Sequence, residues 1–168
     1  MKHRSLWRRS GQAGFTLIEL VVAIGVATLV MSAASAAIYQ ILAGNARDTA
    51  HMKAVKQVEN ALHFMVRDIQ MAQPRFTQTD NLTGDEVLRL GWVEWDNTVN
   101  QVTYSVTGGD VTRTHSADGQ TSVAHYIATL DPQIDGDGNV VVTIVSTITG
   151  RWSATESRTV EIVPRSGS

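Results

Sequence analysis

Cysteine is absent from the 168 residues, so no disulfide staples the fold and no thiol can act as a nucleophile. Proline is scarce, with three in the chain and the first at Pro74, so nothing upstream of it removes a backbone donor from a helix. Charge is missing from the whole stretch between Glu19 and Arg47. Acids are missing from the first fourteen positions, which hold Lys2, Arg4, Arg8 and Arg9. Neither a Gly-x-Ser-x-Gly turn nor a phosphate-binding glycine loop occurs, which removes two common routes to catalysis.

What is present divides sharply along the chain. The full sequence carries a net charge of −2. Four of its 14 basic residues precede Gly14, so a chain beginning at Phe15 sets ten bases against 16 acids and carries −6. Positive charge before the first apolar segment favours a cytoplasmic N-terminus and an exported remainder. The mildly acidic remainder argues against a broad nucleic-acid surface, and no nucleic-acid contact is expected. Roughly 100 residues beyond an N-terminal helical region suit one small globular head.

The block Arg8-Arg9-Ser10-Gly11-Gln12-Ala13-Gly14-Phe15-Thr16-Leu17-Ile18-Glu19-Leu20-Val21-Val22 joins a basic leader to a long apolar run holding one carboxylate. A buried acid in a bilayer-length segment is costly, so Glu19 is expected to have a function. This block resembles the cleavage and methylation motif of type IV prepilins and type II secretion pseudopilins. The resemblance implies that a prepilin peptidase cuts between Gly14 and Phe15 and methylates the amine of Phe15. It implies an assembly role for Glu19, four residues after the new terminus. It also implies other pilin or pseudopilin subunits as partners, with an assembly ATPase and platform acting indirectly and membrane lipid around the helix before assembly. No cofactor and no metal site are expected.

Two rival readings use the same segment. An ordinary secretory signal would be cut on the far side of a shorter apolar core, where Ser32-Ala33-Ala34-Ser35-Ala36-Ala37 supplies small residues. Glu19 interrupts that core, and the apolar periodicity continues beyond residue 37. A plain signal anchor needs neither the acid nor the Gly-Phe junction.

The expected organisation is a leader at 1–14, a transmembrane and filament-core helix at 15–44, an amphipathic half at 45–73 and a β-rich head at 74–168. Ala50, Ala54, Val55, Val58, Ala61, Leu62, Met65, Val66 and Ile69 recur at helical steps. Asp48, Lys53, Lys56, Glu59, His63, Arg67 and Asp68 fill the expected wet face. One helix is predicted to about Ala72, ending before Pro74. The fold class is α+β and pilin-like: a long helix packed on an antiparallel sheet.

Within a helix bundle, Glu19 would need a cation, and the terminal amine of a neighbouring Phe15 can supply one. Such a pair would act as a register key. In the head, strands are predicted at 87–95, 101–106, 111–114, 123–130, 140–148 and 157–163, with a tight turn at Gly108-Gly109-Asp110. Asp135, Asp137 and Asn139 begin a calcium-loop spacing, but Val140 and Ser146 stand where Gly and Glu are required, so a hairpin turn is the better reading. Glu94 and Asp96 alternate with Trp92 and Trp95, an arrangement that also occurs in sugar hydrolysis. An edge strand with its tryptophans inward accounts for it more simply. No enzyme activity is expected.

The sequence therefore predicts a minor pilin or pseudopilin of a type IV pilus-like filament. It would sit single-pass in the bacterial cytoplasmic membrane with its head outside, then enter a periplasmic or extracellular filament. The helix segments 57–62 and 65–69 look like the larger minor subunits. The proline that many major subunits carry in the apolar helix is replaced by Ala36, and their C-terminal cysteine pair is absent. Alternatives are a type II secretion or DNA-uptake pseudopilin, or a membrane-anchored binding protein that never polymerises.

Overall fold

A computed structural model describes residues 14–80 and 82–165, so the leader cations Lys2, Arg4, Arg8 and Arg9 lie outside the described residues. Helix α1 runs unbroken from Leu17 to Met71. Leucine, alanine, valine and isoleucine fill its first half, and no proline interrupts it. Its hydroxyls turn inward: Thr28 Oγ1 donates to the Gly25 carbonyl and Ser32 Oγ to that of Thr28, each at 2.8 Å. The helix stops where Gln73 adopts an extended backbone ahead of Pro74, as a residue preceding proline must. A 3-10 turn at Pro74–Phe76 follows.

The chain divides into two compact units between Ala43 and Gly44. In the first, every described residue up to Leu42 is exposed. In the second, α1 buries Ala50, Ala54, Val58, Ala61, Leu62, Met65, Asp68 and Ile69. Steps of three and four keep these on one stripe, and that stripe covers the sheets of the head.

The head contains two antiparallel sheets rather than the single one the sequence suggested. Strands β1 (Glu86–Val93), β2 (Val99–Thr107), β3 (Asp110–His115) and β4 (Gly119–Ala124) pair in chain order. Strands β5 (Ile127–Ile134), β6 (Val140–Ile148) and β7 (Ala154–Ile162) do the same in the second sheet. Turn chemistry explains the short connections. Gly108 and Gly109, at φ 61° and 90°, make the two-residue β2–β3 turn, which requires positive φ at both central positions.

The strand expected at 123–130 is two strands, one in each sheet. Tyr126 breaks it with a φ of 60°, and the chain changes sheet there. Hydrogen bonds hold that corner: Ile127 N–H donates to the Gly109 carbonyl at 2.8 Å, and Thr147 N–H to that of Tyr126 at 2.9 Å. Val123 to Leu130 reads as one strand because neither His125 nor Tyr126 disfavours extended backbone.

Leu88, Leu90, Val102, Tyr104, Val111, Val140, Val142 and Ile144 close the core over α1. One polar group is built into it. Asp68 is 1% exposed, contrary to its expected place on the wet face. Its position three residues after Met65 puts it on the apolar stripe. Tyr104 Oη donates to Asp68 Oδ2 at 2.6 Å, Arg113 Nε to the same oxygen at 2.6 Å, and Arg113 Nη2 to Oδ1 at 3.0 Å. A fork of this kind satisfies the buried carboxylate and ties α1 to β2 and β3. Burial and then the Asp68 carboxylate push the Tyr104 phenol well above its ordinary range. The hydrogen bonds to Asp68 likewise hold the Arg113 guanidinium more firmly protonated.

Candidate functional site

Residues 14–16 precede the helix and are not part of it. The Gly14–Phe15 peptide bond is therefore free of helical hydrogen bonding, the state a protease needs. Phe15 is 90% exposed. A Cβ built on Gly14 would meet nothing within 4 Å among the described residues, so none of them requires glycine there. Any requirement for it lies with whatever recognises the junction.

Two residues later the helix begins on a reciprocal cap. Thr16 N–H donates to Glu19 Oε2 at 3.0 Å, and Glu19 N–H donates to Thr16 Oγ1 at 3.3 Å. The Thr16 hydroxyl also donates to Glu19 Oε2, at 2.9 Å. This is a capping box, Thr-x-x-Glu, and its carboxylate sits in the positive field of the helix start. The sequence reading gave Glu19 no partner in its own chain. The Thr-x-x-Glu spacing ahead of an apolar run was the signal that identifies one.

Glu19 also lies within an apolar stripe. Phe15, Ile18, Val22, Ala23, Val26 and Ala27 surround it along one helix face, lining an open groove of about 620 Å³. The most apolar window of α1 has a mean hydropathy of 2.3 with none of it buried, so by length and composition this helix can cross a membrane.

A family model described as a prokaryotic N-terminal methylation motif matches residues 9–35. The N-terminus is of the prepilin type. The match ends before the second half of α1 and does not reach the head. No curated protein and no solved structure matches the chain. The prepilin-type motif and the apolar helix together fit membrane anchoring. The motif implies recognition by a prepilin peptidase and incorporation with other pilins.

The other candidates do not converge on a site. Strand β1 ends at Val93, so Glu94 and Asp96 stand in a turn and share no strand face. Glu94 Oε1 accepts from Asn100 Nδ2 at 2.9 Å, and Asp96 Oδ1 accepts the Thr98 N–H at 2.9 Å. That backbone bond lowers the Asp96 carboxyl below its ordinary range. The tryptophans do not both point inward as expected: Trp92 is half-buried and stacks on His115, whereas Trp95 is 93% exposed at the turn.

Asp135, Asp137 and Asn139 form the β5–β6 turn, where Asp135 Oδ1 accepts the N–H groups of Asp137 and Asn139 at 2.9 and 2.8 Å. That carboxylate works as a turn cap. His51 and His63 are exposed on α1. Among the described residues no group of three or more His, Cys, Asp or Glu side chains is placed to hold a metal ion.

Proposed function

We propose that this protein is a minor pilin or pseudopilin, a structural subunit with no enzymatic role. It is cut between Gly14 and Phe15, methylated on the Phe15 amine, and drawn from the cytoplasmic membrane into a filament through its apolar helix. The observation that carries the reading is the contrast within α1. The half bearing the prepilin-type motif exposes its whole apolar surface, while the other half is covered by the head. Leu17, Ile18, Leu29 and Met31 are 82%, 67%, 72% and 74% exposed. Surface of this kind is stable in lipid or against other helices and not in water.

Glu19 then serves twice. In the single subunit it caps its own helix. In the filament it pairs with the amine of a neighbouring Phe15 and fixes axial register. A glutamine separates the two roles, because it can complete a capping box but carries no charge. Glu19→Gln is expected to insert and be processed normally, yet to be excluded from filaments. Normal incorporation of that variant would reduce Glu19 to a cap. Mass spectrometry of the mature N-terminus tests the whole reading. A methylated Phe15 supports it; an intact leader, or a cut beyond residue 30, overturns it in favour of a solitary anchored protein.

A further inference from the structure

The β6–β7 turn returns to α1 immediately beyond its apolar half. Arg47, the first charged residue after Glu19, follows Leu42 by five positions, about 7.5 Å along a helix. Its guanidinium carbon lies 4.6 Å from the ring centroid of Trp152, and that of Arg151 lies 5.6 Å from the same ring. The three side chains, with Asp48 and His51, line an open cleft of about 520 Å³. Trp152 is half-buried, while Arg47 and Arg151 are exposed.

Several physical features coincide here. Along α1 the rise from Leu17 to Arg47 is about 45 Å, close to the thickness of a bilayer including its headgroups, so a span that starts with Leu17 at one face brings Arg47 to the headgroup level of the other. Tryptophan and arginine are the side chains suited to that layer, one for its amphipathic ring and the other for its phosphate-matching fork. Stacking on Trp152 limits the conformations of Arg47 before anything binds. The lining holds Arg47 and Arg151, two of the ten cations of a chain that is otherwise acidic beyond Gly14, together with the acid Asp48.

We propose that the Arg47–Trp152–Arg151 cleft docks onto the phosphodiester headgroups of anionic phospholipid at the membrane face from which α1 emerges. The inserted subunit is thereby held with its head against the membrane until assembly removes it. The inference rests on the membrane-anchored reading above.

The full chain, with Trp7, Trp92 and Trp95 replaced by phenylalanine, leaves Trp152 as the only indole. Reconstituted into vesicles with headgroup-attached spin labels, Trp152 should be quenched more strongly when phosphatidylglycerol is present than in phosphatidylcholine alone. Arg47→Gln and Arg151→Gln should each shift the docked fraction about fivefold, and the double variant should lose the lipid dependence. Unchanged thermal melting of these variants keeps the comparison fair.

Equal quenching in both lipids, or in wild type and double variant, overturns the proposal while flotation with the vesicles still upholds anchoring. Failure to float overturns the anchored reading, and docking falls with it. If inorganic phosphate in neutral detergent alters Trp152 emission as much as anionic vesicles do, the cleft is a small-anion site and the lipid assignment is wrong.

Discussion

The two halves of helix α1 are continuous in backbone and opposite in partnership. Up to Leu42 every described side chain is exposed, apolar ones included; from Ala50 onward a regular stripe is buried to between 0% and 8%. The first half is nearly uniform around its circumference, so it names no single inner face. The second alternates, and its alternation selects the face that the sheets cover. One half thus has its complement within the chain. The other needs a complement from lipid or further subunits.

The sharpest way to break this contrast is at the buried charge. Removing Asp68 with an Asp68→Ala change strands Arg113 beside a closed core and should cost the head about 3–5 kcal/mol, read by denaturant unfolding in detergent. Replacing Asp68, Tyr104 and Arg113 together with apolar residues of similar size should cost much less, because no charge is left unpaired.

Matched truncations in the two halves come next. Met65→Ala should lower head stability by about 2–5 kcal/mol, as for other buried large-to-small changes. Leu29→Ala should leave that stability within about 0.5 kcal/mol and act only on insertion or assembly. Equal losses at the two positions would erase the distinction between the halves.

Thr16→Ala tests the start of the exposed half. It should weaken the first turn by about 1 kcal/mol, seen as faster amide exchange at Ile18 and Glu19 with head stability unchanged.

The smallest effects are in pH. The Tyr104 phenol is raised above its ordinary value, so its contribution to stability is complete below about pH 10 and is lost as pH climbs beyond it, the unfolded tyrosine ionising first. Absorbance titration should show Tyr104 ionising only as the head unfolds. Asp96 has the opposite sign: its carboxyl is lowered, so its bond to Thr98 persists above the ordinary aspartate range and is lost at more acid pH. Proton resonance of the Thr98 amide should follow that loss.

The sequence revealed most of the helix and strand pattern because each rests on local chemistry. The end of α1 follows from Pro74, the β2–β3 turn from Gly108-Gly109, and β6 from a β-branched run broken only by Ser146. Asp68 was misread because its residue type outweighed its position, and its partners Tyr104 and Arg113 are remote in sequence. The Tyr126 corner left no compositional mark, since a single positive φ in a β-tolerant residue is fixed by contacts from the β2–β3 turn and from strand β6. Trp95 was misplaced because β1 ends two residues before it. At the N-terminus the methylation motif was legible, and a family model matches it at residues 9–35, whereas the reciprocal bonds of Thr16 and Glu19 were hidden behind the family role of the glutamate.

That cap has a consequence for maturation. Both of its residues lie downstream of the cut proposed between Gly14 and Phe15, so a processed chain would keep them. Loss of the leader at that proposed cut would delete four cations and expose an amine at Phe15 while leaving both cap residues in the chain. Under that proposal, processing would act as a change of charge at the entrance of a helix whose capping bonds are already made.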